Sequence, residues 1–123
     1  MTTKDTFEYD CFGEKYTCQF AIGEYGNGNL ALEIIGAEGT DYEGEPIVRV
    51  TVNPDQIVPE DCIAIKDYSE NRGMVDFCRE IGIIADRVTT IQSGWVQIPV
   101  YKLSDSGLEI FKGRESKFVP FSR

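Results

Sequence analysis

A run of oxygen-bearing side chains, DYSEN, begins at Asp67 and precedes a predicted helix. Asp67, Ser69 and Asn71 alternate as the oxygen ligands of a calcium loop do. A calcium loop of the EF-hand type also requires glycine at its sixth position and a carboxylate at its twelfth. Those positions hold Arg72 and Cys78, so this run does not predict a calcium site.

Two interpretations of this run are left. In the first, Ser69 or Asn71 caps the following helix by accepting a hydrogen bond from a backbone N–H of its first turn. In the second, the run is a contact surface made of Asp67, Tyr68 and Glu70. Helix capping is the interpretation that the sequence favours.

The sequence is poor in catalytic groups. It contains no histidine, which removes the Ser-His-Asp and Cys-His arrangements. Its cysteines fall in apolar patterns without a C-x-x-C pair, as is typical of buried thiols and not of zinc ligands. These cysteines are Cys11, Cys18, Cys62 and Cys78. We therefore expect no catalytic residue, no metal, no cofactor and no enzymatic activity.

The only tryptophan, Trp95, follows a Ser-Gly turn at the start of a predicted strand. Packing in the core is the ordinary role for such a residue. The functional alternative is a semi-exposed anchor at the mouth of a curved sheet, where aromatic side chains often carry binding energy. Tyr68 and Tyr101 would share that rim. With Asp67 and Glu70, these three aromatic residues are the predicted binding residues.

The charge is strongly acidic and unevenly distributed. Residues 1–101 hold 18 acidic and 7 basic side chains, for a net charge of −11, whereas residues 102–123 hold 3 and 5, for +2. Such a body repels nucleic acid phosphates and anionic lipid surfaces. We therefore expect no direct nucleic acid binding and no membrane association, and a basic host protein is the candidate partner. The alternative is that the acidity serves solubility alone.

The length and the N-terminal sequence indicate the class of protein. The 123 residues fit a single globular domain, residues 1–123. MTTKDTFEYD has no basic stretch that leads into an apolar run, and no run of about 18 apolar residues follows. A cytoplasmic protein is expected.

The periodicity of apolar residues predicts the elements. Residues 7–12, 15–22, 30–36, 45–52 and 95–103 alternate between apolar and polar as half-buried strands do, and residues 62–66 predict a further short strand. One helix is predicted at about residues 71–81, with Met74, Phe77, Cys78 and Ile81 on its buried face. The expected fold is α+β: a curved antiparallel sheet of six or seven short strands with one helix packed on one face.

Residues 44–101 also resemble a family of short uncharacterised bacterial proteins that are found on conjugative elements, plasmids and other mobile DNA. The matching motifs are Gly44-Glu45-Pro46, Thr51-Val52-Asn53, residues 67–71, Phe77, Gly82-Ile83, Ser93-Gly94-Trp95 and Pro99-Val100-Tyr101. Ile47 stands where the family tends to have an aromatic residue. The resemblance implies a place on mobile DNA and carries no catalytic residue.

The function expected from these observations is a non-enzymatic acidic protein-binding module. The resemblance suggests an accessory or anti-defence factor of a mobile element that imitates DNA. The alternative is a small-ligand binding domain that uses the concave face of the sheet near Trp95.

Overall fold

The computed structural model describes residues 6–112 and 119–120, which form two antiparallel sheets and two helices. In chain order the elements are β1 (Phe7–Cys11), β2 (Glu14–Glu24), β3 (Leu30–Gly36), β4 (Pro46–Arg49), β5 (Cys62–Ala64), α1 (Met74–Glu80), β6 (Ile84–Ser93), β7 (Val96–Leu103), α2 (Asp105–Lys112) and β8 (Val119–Pro120). The first sheet has the order β1-β2-β3-β4, and β8 pairs parallel with β2. The second sheet has the order β5-β7-β6.

Alternation and turn residues explain the start of the first sheet. Phe7 and Tyr9 pack against the core, while the alternate side chains of β1, Glu8 and Asp10, are exposed. The β1–β2 hairpin has the two-residue loop Phe12-Gly13, with φ angles of 53° and 86°. Positive φ at both positions is the geometry of a type I′ turn, whose twist matches that of the paired strands. Asp10 strengthens the turn by accepting a hydrogen bond from the Gly13 N–H at 3.0 Å.

The two sheets are joined by the chain segments that follow β4 and β5. Thr51 forms an antiparallel bridge with Ile65, the Val52 N–H donates to the Ala64 carbonyl, and the Lys66 N–H donates to the Val50 carbonyl.

The predicted α+β class is confirmed. The prediction of one sheet with one helix is wrong in detail, because the strands divide into two sheets and a second helix is present.

One hydrophobic core is shared by both sheets and α1. Its buried residues are Cys18, Phe20, Ile22, Leu32, Ile34, Val50, Ile63, Ile65, Met74, Val75, Cys78, Ile83, Ile84, Tyr101 and Leu103. A smaller second core consists of Val58, Cys62, Ala64, Ile91, Ile98 and Val100. Neighbours along β5 and β7 fall in different cores, so these two strands are apolar on both faces.

The first helix is shorter than predicted. A 3₁₀ turn spans Ser69–Asn71, and α1 itself runs from Met74 to Glu80. Its buried residues are Met74, Val75 and Cys78, whereas Phe77 and Ile81 are only half-buried. Phe77 lies over the edge strand β1, with ring centroids 5.8 Å from Phe7 and 5.0 Å from Tyr9. The edge of the sheet covers only part of that side chain.

The segment that follows β7 forms a second helix, which the expected fold did not include. The structure has a helix of 8 residues, α2, and Ser104 caps it by accepting a hydrogen bond from the Gly107 N–H at 3.1 Å. Gly107 is buried against Ile83, the residue before β6. A Cβ at Gly107 would lie 2.2 Å from the Ile83 carbonyl oxygen. Glycine at this position lets α2 approach the second sheet closely.

Candidate functional site

Asp67 caps the first helix, and the predicted capping residues do not. Its Oδ1 accepts hydrogen bonds from the Gly73 N–H at 2.9 Å and from the Val75 N–H at 3.2 Å. Gly73 occupies the N-cap position with φ 95° and has no side chain to accept these bonds. The prediction that Ser69 or Asn71 is the cap is therefore wrong. The acceptor for the free N–H groups at the start of the helix is therefore Asp67, which precedes both residues that were predicted to cap it.

Asn71 ties the helix start to the first sheet. It is 2% exposed, and its Nδ2 donates to the Arg49 carbonyl at 2.6 Å. Its Oδ1 is buried and has no hydrogen-bond partner among the described residues. Asp67 and Asn71 thus both have structural roles, and the DYSEN run organises the passage from β5 to α1.

Glu70 and Tyr68, the other charged residue and the aromatic residue of the run, both contact the neighbouring Lys66. Lys66 Nζ lies 2.5 Å from Glu70 Oε2 and 5.7 Å from the centre of the Tyr68 ring. The hydrogen bond from Lys66 lowers the pKa of the Glu70 carboxyl below its ordinary value. Tyr68 is half-buried against the second core. Of these three side chains, Glu70 is the exposed one, and its charge is already paired.

The predicted aromatic rim is not assembled. Tyr101 is only 7% exposed and belongs to the shared core, where its hydroxyl accepts a hydrogen bond from Arg79 Nη2 at 3.0 Å. Trp95 is 101% exposed, so the expected packing in the core does not occur. The two residues lie six positions apart on one extended segment, or roughly 20 Å. They cannot form a single binding site.

Trp95 occupies the tip of the β6–β7 hairpin. Ser93 pairs with Val96, so the loop consists of Gly94 and Trp95 alone. Gly94 has φ 59°, which matches the first central position of a type II′ turn. A side chain at the tip of a two-residue loop has no neighbouring strand to cover it, and this explains the exposure of Trp95.

The loop that joins β3 and β4 concentrates negative charge, a feature that the sequence analysis did not single out. Residues 37–45, the acidic loop, carry exposed carboxylates and no basic side chain; these acids are Glu38, Asp41, Glu43 and Glu45. No ion pair recorded between described residues engages any of them. The density of acids in this short loop was a signal in the sequence.

Partly buried hydrogen bonds hold the acidic loop against the first sheet. The Thr17 N–H donates to Tyr42 Oη at 2.9 Å, and the Glu38 N–H donates to Gln19 Oε1 at 3.0 Å. At Gly36, a Cβ would lie 2.0 Å from the Tyr42 carbonyl oxygen. The backbone of the loop is therefore fixed at the end of the sheet while its carboxylates face solvent.

A mostly apolar cavity of about 390 Å³ lies beside α2. Its apolar lining comes from Leu30, Leu103, Leu108 and Phe111. Its charged lining comes from Glu24, Asp61 and Lys112. None of the predicted binding residues lines this cavity.

The buried cysteines are poorly suited to nucleophilic chemistry. Burial raises the pKa of the Cys18 thiol to about 11 and that of the Cys78 thiol to about 12, and it also raises the pKa of Cys62. These three thiols are protonated at neutral pH, and the thiolate is the reactive form.

Two further kinds of feature are absent from residues 6–112. No group of three or more cysteine or acidic side chains is placed to hold a metal ion in this part of the chain. Neither described helix is long and apolar enough to cross a membrane.

Comparisons with protein-family models, curated proteins and solved structures found no match.

Proposed function

We propose that this protein is an acidic binding module that presents the carboxylates of the acidic loop to a basic protein partner. The observation that carries the proposal is the unequal distribution of charge. Residues 6–49, which form the first sheet and its loops, hold nine acidic and two basic side chains, for −7. Residues 62–103 hold five of each, for a net charge of zero. Acidity needed only for solubility would not have to gather on one sheet.

The geometry of the acidic loop supports this role. Its four exposed carboxylates are not neutralised by recorded ion pairs, and its backbone is anchored by Tyr42 and Gln19. A fixed, unpaired set of negative charges attracts a basic surface and loses little conformational freedom on binding. The expected partner is a nucleic-acid-handling protein whose DNA groove receives the acidic loop.

The proposed cellular role is that of an accessory or anti-defence factor of a mobile element, acting by imitation of DNA. It rests on the resemblance of residues 44–101 to proteins of conjugative elements and on the acidic loop. The protonated core thiols and the lack of histidine favour a binding protein over an enzyme. A cytoplasmic location fits such a partner.

A pair of charge variants with equal net charge tests the proposal. The loop variant carries Glu38→Gln, Asp41→Asn, Glu43→Gln and Glu45→Gln. The control variant carries Glu60→Gln, Glu80→Gln, Asp86→Asn and Glu109→Gln, which are also exposed positions. Each set raises the formal net charge by four from −9, and each amide keeps an acceptor oxygen.

The variants are immobilised and exposed to bacterial lysate at about 0.1 M salt, and bound proteins are eluted with rising salt. The proposal predicts that DNA-binding proteins are retained by the wild type and the control, elute with salt and are displaced by added duplex DNA. The loop variant should lose them, because the screening length is only about 10 Å at 0.1 M salt and distant charges contribute little. Equal retention by both variants, or no retention by the wild type, would refute the role of the acidic loop.

Small-ligand binding is the second candidate function, and the cavity beside α2 favours it. Its volume of about 390 Å³ lies within the range of ligand pockets, roughly 300–1,000 Å³, and its lining is mostly apolar. The expected ligand site is therefore the cavity beside α2 and not the sheet face near Trp95. A Leu108→Trp variant would fill the space. An apolar fluorescent probe that binds the wild type and the variant equally would exclude the cavity as its site.

A further inference from the structure

The outer edge of β6 is an unusually long open strand edge. The order β5-β7-β6 places β6 at the end of the second sheet, and no strand among the described residues pairs with its other side. β6 has 10 residues, and residues 85–90 are all exposed, so both of its faces reach solvent there. Edges of this length template pairing with another strand unless something blocks them.

The hairpin register identifies the free backbone groups. The pair Ser93–Val96 closes a two-residue loop and is therefore a hydrogen-bonded pair. Because hydrogen-bonded pairs alternate along an antiparallel ladder, Thr90 and Gln92 direct their N–H and C=O groups outward. Thr90 faces Pro99, which has no N–H to contribute to a bonded pair, and this agrees with the assignment.

One part of the edge is regular. The pairing with β7 shifts register between Ile84 and Arg87 and again between Arg87 and Thr89, but it runs without interruption from Thr89 to Ser93. The register shifts bend the first half of the strand, as β-bulges do, and make it a poor template. The regular half is centred on Ile91, with one outward-facing residue on each side of the centre.

We propose that a second copy of this chain docks on this edge, antiparallel, about a two-fold axis at Ile91. In that register Thr90 of each copy pairs with Gln92 of the other copy. Each of these two pairs exchanges two backbone hydrogen bonds, so the interface contains four. In this antiparallel arrangement the hairpin tip that carries Trp95 lies beside the first half of β6 of the second copy, which contains Arg87. Both side chains are exposed, and a guanidinium beside an indole ring is attractive. The exposed tryptophan thereby gains a contact.

Charge favours a second copy at this edge and disfavours one at the first sheet. Residues 62–103 have a net charge of zero, so two second sheets approach each other without net repulsion. Two copies of residues 6–49, each with −7, would repel. The outward-facing residues Thr90 and Gln92 are symmetric about Ile91 on the regular part of the edge, which is what a two-fold interface requires.

Sedimentation velocity over a range of concentrations tests the dimer with a pair of edge variants. Thr90→Pro removes one outward N–H and leaves the ladder with β7 intact, because Thr90 is not hydrogen-bonded to β7. Thr90→Val keeps the N–H and is the matched control. The wild type and Thr90→Val should associate at high concentration, whereas Thr90→Pro should stay monomeric with an unchanged circular dichroism spectrum. In hydrogen exchange, the Thr90 and Gln92 amides should become protected as concentration rises.

A second pair of variants covers the case in which Thr90→Pro fails to fold. Trp95→Ala should weaken dimerisation about tenfold, since desolvated aromatic anchors carry much of an interface's binding energy. Phe12→Ala removes the other exposed hairpin-tip aromatic, 86% exposed, and should leave dimerisation unchanged. A wild type that is monomeric at every concentration would overturn the proposal. So would a dimer that is insensitive to Trp95→Ala or is equally weakened by Phe12→Ala.

Discussion

The first and second sheets contribute to one core but present different surfaces. The first sheet holds a net charge of −7 over residues 6–49 and ends in the acidic loop. The second sheet is neutral over residues 62–103, and its strands β5 and β7 are apolar on both faces. It carries the long open edge of β6, with Trp95 at the tip of the β6–β7 hairpin. The first surface suits an electrostatic contact with a basic protein, and the second suits strand pairing.

This difference shows how loosely a shared core constrains the surface above it. Both sheets supply fully buried residues to the shared core, such as Ile34 from the first and Ile63 from the second. Burial fixes the apolar side chains, but exposed positions on the same strands can vary in charge at little cost in stability. The following five predictions test this division between a common interior and separate surfaces.

The largest expected effect concerns the shared core. Ile34 is fully buried in β3, and Ile34→Ala should lower the free energy of unfolding by about 2–5 kcal/mol. Because the core joins both sheets, urea should unfold them together, and amide protection should be lost in β7 as well as in β2. Protection that survives in β7 after β2 has unfolded would show that the sheets are independent units.

The next effect concerns the attachment of the acidic loop. Gly36→Ala would place a Cβ 2.0 Å from the Tyr42 carbonyl oxygen and should cost about 1–3 kcal/mol. The Thr17 amide, which donates to Tyr42, should then exchange faster with solvent. Gly26→Ala is the control, because a Cβ at that position meets no atom within 4 Å. Equal stability of the two variants in urea denaturation would contradict the close packing of the loop.

The buried thiols predict a loss of stability in alkali. Burial raises the pKa of Cys78 from 9.0 to about 12, so the unfolded chain releases this proton at a lower pH than the folded chain. The stabilising effect is complete below pH 9 and is lost as pH rises toward 12, at up to about 1.4 kcal/mol per pH unit. Denaturation of Cys78→Ala should show a shallower alkaline slope. The residual slope should reflect Cys18, Cys62 and Tyr9, whose pKa values burial also raises.

A smaller effect concerns the helix cap between the two sheets. Asp67→Ala removes the acceptor for two N–H groups and should cost about 1 kcal/mol. Ser69→Ala, at the position first expected to cap the helix, should change stability by less than about 0.5 kcal/mol. Chemical denaturation of the two variants measures both values. A larger loss for Ser69→Ala than for Asp67→Ala would restore the original capping assignment.

The smallest effect concerns Trp95. Since its side chain is fully exposed, Trp95→Ala should change the stability of the monomer by less than about 0.5 kcal/mol. The fluorescence emission of the native protein should also resemble that of the unfolded chain, because the indole is in water in both. A strong blue shift of native emission at a concentration where the protein is monomeric would show that Trp95 is covered within its own chain.

Much of the fold could be predicted because it depends on local sequence. The alternation in β1 to β3 lies within short stretches of chain, and the strands predicted there match the observed ones closely. The strand predicted over residues 45–52 is observed only at Pro46–Arg49, and β6, with 10 residues, was not among the predicted strands. The helix was placed in the right region, but its start was predicted three residues early. The cap Asp67 lies six residues before Gly73, beyond the spacing at which capping motifs are recognised.

The placement of the aromatic residues could not be predicted in the same way. The prediction grouped Tyr68, Trp95 and Tyr101 by residue type, but their neighbours in space come from distant parts of the chain. Tyr101 is covered by α1 through Arg79, while Trp95 lies at a hairpin tip where no described residue covers it. Aromatic type alone does not distinguish these two environments.

The sequence by itself determined the α+β class, the position of most strands, the acidity and the lack of histidine chemistry, because these follow from composition and from periodicities of two and 3.6 residues. Tertiary structure alone decided that the strands divide into two sheets, that β6 is an edge and that Trp95 is exposed. The physical reason is that strand order and burial depend on contacts between distant segments, such as the bridge between Thr51 and Ile65. A strand has the same local pattern whether its outer edge is paired or open to a second molecule.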